Sequence, residues 1–122
     1  MSKQNLTLLT DFYELTMMQG YFNNKMNDVV VFDLFYRENP CNGGYAICAG
    51  LEQVIDYVKN LRFTEDDIEY LRSLKFDESF LNYLKEFRFT GDIYAIPEGT
   101  VVFPMEPLIK VVAPIMEAQL IE

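Results

Sequence analysis

The chain predicts an α+β domain in which helices pack on a mixed or antiparallel sheet. Three observations lead there. Apolar residues between positions 51 and 87 recur at i, i+3, i+4 and i+7, the spacing that lines them along one side of a helix. From Arg88 the pattern changes to short β-branched runs punctuated at Gly91, Pro97-Glu98-Gly99 and Pro104. A separate β-branched and aromatic run, residues 29–36, precedes the helical section, so helices and strands are segregated rather than alternating as βαβ units.

The first helix, in residues 10–22, carries more apolar surface than one core can use. At about 100° per residue, Phe12, Leu15, Met18 and Phe22 fall on one side, and Tyr13, Met17 and Tyr21 on roughly the other. A surface helix normally opposes one apolar stripe with a charged face, but here no charge follows Leu15 before Lys25. Two readings stand open. The helix is sandwiched between two layers of one domain, or its Tyr13/Met17/Tyr21 face meets another domain, another subunit or a ligand. Thr10 or Asp11 is expected to cap the N-terminus through its side chain. That places Tyr13 in the first turn, where the helix dipole favours an anion.

Residues 23–28 read as a polar turn and 29–36 as a well-buried strand. Residues 37–44 form a loop by Pro40 and Gly43-Gly44, and the short run 45–49 is the expected partner of the 29–36 strand. Leu51, Val54, Ile55, Val58 and Leu61 make the stripe of the next helix. Thr64 caps another, with Glu65, Asp66 and Asp67 in its first turn and Ile68 and Leu71 inward. Asp77-Glu78-Ser79 opens a third, with Phe80, Leu81, Leu84 and Phe87 as its stripe. Short strands follow, the last at residues 108–112, and residues 115–122 begin a helix-like segment after Pro114. Leu120 and Ile121 at its tip are expected to be exposed and to promote self-association. The boundary is placed at residue 113: residues 1–113 form the domain, and 114–122 begin a helix leading onward, so that the chain reads as the front piece of a longer protein.

Composition narrows the function. The 122 residues are 50% hydrophobic and 15% aromatic, which suits a packed core. A net charge of −9 opposes nucleic acid and polyanions, whose binding rests on Lys and Arg. Zero histidines removes His-based acid–base catalysis, Ser/His and Cys/His triads and most zinc sites, and no metal ligands are assigned. Cys41 and Cys48 are read as small buried hydrophobes rather than a disulfide. With no signal-peptide pattern and no apolar run near the ~20 residues of a membrane span, a soluble, cytoplasmic protein without membrane partners is expected.

Four pieces occur together and in order: residues 9–17 (Leu-Thr-Asp-Phe-Tyr-Glu-Leu-Thr-Met), 32–37 (Phe-Asp-Leu-Phe-Tyr-Arg), 49–52 (Ala-Gly-Leu-Glu) and 96–99 (Ile-Pro-Glu-Gly). In that register the chain resembles the N-terminal domain of nicotinate phosphoribosyltransferase, a type II phosphoribosyltransferase, over essentially its whole length. The resemblance implies an enzyme of NAD salvage. Nicotinate attacks the anomeric carbon of phosphoribosyl pyrophosphate (PRPP) and displaces pyrophosphate to give nicotinate mononucleotide. Mg²⁺ supports the reaction, and ATP hydrolysis is coupled through a phosphorylated histidine. Most catalytic groups of the family belong to an α/β barrel that follows this domain. These residues lack that barrel and any histidine, so they are expected to be inactive alone and to bind neither Mg²⁺ nor ATP tightly.

The family forms head-to-tail homodimers in which this domain of one subunit completes the other's site. Carried over by position, the Asp-x-Tyr element is Asp11 and Tyr13, with Tyr13 stacking on the nicotinate ring across the interface and Asp11 beside it. Arg37 matches an arginine that reaches the PRPP phosphates in the related nicotinamide enzyme. From the residues alone, Asp11 is equally a helix cap, Arg37 a solvated strand-end cation and Gly43-Gly44 a turn. The alternative from another class is a non-catalytic α+β interaction module that dimerises through its two-faced first helix.

Overall fold

The computed structural model describes residues 4–122. Its elements run α1 (Phe12–Asn23), β1 (Val29–Leu34), a 3-10 turn (Pro40–Asn42), β2 (Ala46–Ile47), α2 (Leu51–Asn60), α3 (Glu65–Ser73) and α4 (Glu78–Lys85). They continue through β3 (Asp92–Ala95), β4 (Val101–Val102), β5 (Ile109–Pro114) and α5 (Ile115–Ile121). Helices pack on antiparallel strands, the α+β arrangement the residue patterns predict. One sheet has the order β1-β5-β3, and a second pairs β2 with β4.

The pairing corrects one expectation. Residues 45–49 do not partner the 29–36 strand. β2 pairs with β4 (Ala46↔Val102), while β1 pairs along its length with β5, from Val29↔Pro114 to Leu34↔Ile109. The loop after β1 is drawn toward β4 instead: the Tyr36 hydroxyl lies 2.9 Å from both Asn39 Oδ1 and the Val102 carbonyl. Apolar matching decides the partner of β1, since Val30 and Phe32 join Val111 and Ala113 of β5 in one cluster with Ala118 of α5. Only that face is covered. Val29 and Val31 point to the other, exposed face, so β1 is half-buried rather than well buried.

The main core lies among the helices. Ile68, Leu71, Phe80, Leu81, Leu84 and Phe87 are all buried, as their helical spacing predicts, and Leu61 joins them just past the end of α2. Ile55, expected inward, is exposed. Thr64 caps α3 reciprocally with Asp67: its Oγ1 accepts from the Asp67 N–H at 3.2 Å, and Asp67 Oδ2 accepts from the Thr64 N–H at 2.8 Å. Thr64→Ala is expected to cost about 1 kcal/mol, read as a lower urea midpoint at unchanged slope.

Two of the motif pieces meet in space. Gly50, at φ 109°, precedes α2 and has no side chain to cap it, so the Glu98 carboxylate of Pro97-Glu98-Gly99 accepts from the Leu51 N–H instead. The Gly99 N–H donates to the Cys48 carbonyl at 2.8 Å. Cys41 and Cys48 are free thiols, Cys41 exposed and Cys48 half-buried.

α1 and α5 lie against each other, and here three expectations change. Leu15 and Met18 are buried, but Phe12 is exposed and meets Phe76 edge-on at 5.8 Å. Neither expected residue caps α1 through its side chain: Asp11 holds the N-cap position without a side-chain bond, and the Thr10 hydroxyl donates to the Leu120 carbonyl at 3.5 Å. Leu120, expected at an exposed tip, is 2% exposed, because α5 turns back so that Met116 and Leu120 enter the helical core and Ala118 the sheet-side cluster. Self-association driven by an exposed Leu120 therefore loses its basis. In the first turn of α5, the buried Glu117 carboxylate accepts from the Thr90 N–H at 2.6 Å and its hydroxyl at 2.9 Å, which ties the helix to the approach of β3.

Candidate functional site

Burial of Leu15 and Met18 fixes the rotation of α1 and turns Tyr13 and Met17 outward. Tyr13 is 48% exposed, and Leu9, Phe12 and Met17 are exposed around it, whereas Tyr21 is packed against the core. α1 is thus not sandwiched between two layers. Its outer side borders a shallow groove of about 400 Å³, lined by Asp11, Tyr13 and Glu14 of the α1 end, Tyr57 of α2, and Ile121 and Glu122 of the α5 end.

The groove is acidic. The Tyr13 phenol is pushed up to about 12, first by a hydrogen bond with the Glu14 carboxylate, then by partial desolvation and the negative charges of Glu14, Glu122 and Asp11. The ring therefore stays a neutral phenol near neutral pH. Desolvation also raises the Tyr57 phenol. The helix dipole would favour an anion at this end, but Asp11 and Glu14 already supply negative charge, and no Lys or Arg is among the described residues lining the groove. An anionic ligand here would draw its cation from outside the groove.

Glu14 is itself buried, 4% exposed, and Gln119 of α5 is 2% exposed. The Gln119 Nε2 group donates to Glu14 Oε2 and, at 2.8 Å, to Glu122 Oε2, while Gln119 Oε1 accepts from the Tyr21 hydroxyl at 3.4 Å. These polar residues escape a reading by period. Glu14 could have been suspected, because Met18, one turn on, lies on the buried side; Gln119 shows no such signal.

The structure brings Asp11 and Tyr13 to one groove and leaves Arg37 outside it. Arg37 is exposed in the bend after β1, with no hydrogen bond or ion pair to any described residue. Among the described residues no three His, Cys, Asp or Glu side chains converge as a metal site. No described helix is long and apolar enough to cross a membrane.

Residues 8–122 match the family model described as the nicotinate phosphoribosyltransferase (NAPRTase) N-terminal domain. The chain is 47% identical over 116 residues to the nicotinate phosphoribosyltransferase pncB2 of Mycobacterium tuberculosis, covering 94% of this chain and 25% of that protein. It is 42% identical over 120 residues to the nicotinate phosphoribosyltransferase of Bacillus subtilis, covering 97% and 24%. Among solved structures it resembles human nicotinic acid phosphoribosyltransferase with a TM-score of 0.81 at 32% identity, over 91% of this chain and 23% of that one. The chain thus spans about a quarter of the length of these curated relatives.

Proposed function

The chain belongs to the nicotinate phosphoribosyltransferase N-terminal domain family, and from this we propose that it presents a substrate-contacting ring in an enzyme of NAD salvage. The enzyme makes nicotinate mononucleotide from nicotinate and PRPP with coupled ATP hydrolysis in the cytoplasm. It acts as a homodimer, with Tyr13 of one subunit lying against the nicotinate ring held by the other and Asp11 beside it. Arg37 reaches the PRPP phosphates. Residues beyond this stretch hold Mg²⁺ and ATP, and these 122 residues alone, which contain no histidine, carry no turnover.

One observation carries this reading. Tyr13, inside the Asp-x-Tyr element, holds a half-exposed neutral ring at a groove between the start of α1 and the end of α5. The acidic lining disfavours an anion held by this groove alone, so in this reading the nicotinate carboxylate takes its cation from outside it.

The test uses the complete gene product. Tyr13→Ala should raise KM for nicotinate about 2- to 13-fold, the equivalent of ~0.5–1.5 kcal/mol for a stacked ring. Melting temperature should barely move, since the ring is not in the core. Tyr13→Phe keeps the π-face and should cost less, and Arg37→Ala should raise KM for PRPP. Mixing Tyr13→Ala subunits with subunits inactivated elsewhere should restore one working site per dimer. No rescue after verified subunit exchange would place Tyr13 in its own subunit's site.

The exposed Leu9, Phe12 and Met17 suit a second reading, a non-catalytic dimerisation module. A complete gene product without nicotinate-dependent pyrophosphate release would favour it.

A further inference from the structure

β1 is an edge strand. In the β1-β5-β3 sheet it pairs only with β5 among the described residues. The parity of its backbone is fixed where the pairing begins, since the Ile115 N–H donates to the Asp28 carbonyl at 2.9 Å. Bonded pairs alternate along an antiparallel ladder, so Asp28, Val30, Phe32 and Leu34 turn their N–H and C=O groups toward β5. Val29, Val31 and Asp33 turn theirs outward. Natural edges are usually blunted by Pro, Lys or a bulge. This strand, Val-Val-Val-Phe-Asp-Leu, has neither residue, and its register with β5 is unbroken.

The outward groups are self-complementary. An antiparallel copy related by a two-fold axis at Val31 sets Val31 against its own counterpart and Val29 against Asp33, so that every outward N–H and C=O of these residues is paired. On the exposed face Val31 already lies beside Val112 of β5, and the junction extends this into a continuous row of valines. Charge permits the register. Asp33, the one charged residue of β1, faces Val29 of the copy and has Lys110 on its other side. The two Asp33 side chains then stand four residues apart along the strands, about 14 Å, which exceeds the screening length of about 8 Å at physiological salt.

We propose that the β1 edge is an interface between two copies of this chain, joined by antiparallel β1–β1 pairing into one continuous sheet. None of its residues lines the Tyr13 groove, so the inference is independent of the reading of Tyr13. The net charge of −9 opposes association at long range, and added salt should therefore strengthen it.

The test uses the complete gene product. Val31→Lys sets like charges against each other at the two-fold axis and changes an exposed side chain, so the fold should survive. Sedimentation should give the wild type at least twice the mass of Val31→Lys. Val31→Glu should dissociate in the same way, and mixing the two variants should restore the larger species, because opposite charges then meet at the axis. No recovery on mixing would place the contact elsewhere and overturn the proposal. Amide exchange at Val29, Val31 and Asp33 should be slow in the wild type and quicken on dilution. Fast exchange at every concentration would leave the edge open, which also sinks the idea. Slow exchange unaffected by dilution, with equal masses for the wild type and Val31→Lys, would mean that a strand of the same polypeptide covers β1, and the two-copy interface would fall. Should Val31→Lys not fold, the dilution measurement decides by itself.

Discussion

Phe80→Ala is expected to cost about 3–5 kcal/mol of folding stability, a large share of the about 5–15 kcal/mol that holds a domain together. Phe80 is 0% exposed in α4, and its ring meets Phe22 of α1 at 5.7 Å, Phe76 at 5.9 Å and Tyr83 at 6.2 Å. Those rings come from α1, from the α3–α4 connection and from α4 itself, so no single element can close the space a methyl group would leave. The loss combines transfer of the ring to water with a residual cavity. A urea titration measures it, and Phe12→Ala is the control. Phe12 is also an aromatic residue in contact with Phe76 but is 57% exposed, so its truncation should cost no more than about 1 kcal/mol. Equal losses at the two positions would mean that the aromatic contacts, rather than burial, govern the core.

Gly91→Ala is expected to cost about 1–3 kcal/mol or more by overpacking, and Gly91→Val more still. A Cβ on Gly91 would sit 2.4 Å from Ala113 Cβ, 2.7 Å from the Val112 carbonyl oxygen and 2.9 Å from Ala113 Cα. Most of these atoms are backbone of β5, the central strand, and moving them would disturb the Asp92↔Val112 pairing that begins β3. The expected signature is a lower urea midpoint together with faster amide exchange across β3. Gly20→Ala supplies the opposite sign. A Cβ there meets nothing within 4 Å, on an exposed position inside α1, so it should stabilise the helix by up to about 1 kcal/mol. A destabilising Gly20→Ala would show that space alone does not decide these substitutions.

The groove residues divide in the same way between what nearby residues signal and what distant ones supply. Tyr13 and Asp11 belong to a short contiguous element, and a contiguous element can be matched by its letters. Glu122 reaches the same place only because α5 lies along α1, and Gln119 of that helix meets Glu14 beneath the groove across 105 positions. The rise of the Tyr13 phenol to about 12 depends in part on Glu122, and no window around residue 13 contains that charge.

Sequence alone determined the α+β class, the stripes of α3 and α4, the Thr64 cap and the family motifs, because each depends on residues within a turn or two of one another. Helical spacing reports burial dependably where the helix meets a thick core, as at Phe80, Leu81 and Leu84. At Phe12 it does not, since the first turn of α1 overhangs the edge of that core. The partner of β1, the burial of Leu120 and the amide that fixes Glu14 were decided only by the tertiary structure. Each is a contact between segments far apart in the chain, and a strand or helix face accepts any partner of suitable shape and polarity. The choice among such partners is made by packing the whole domain at once.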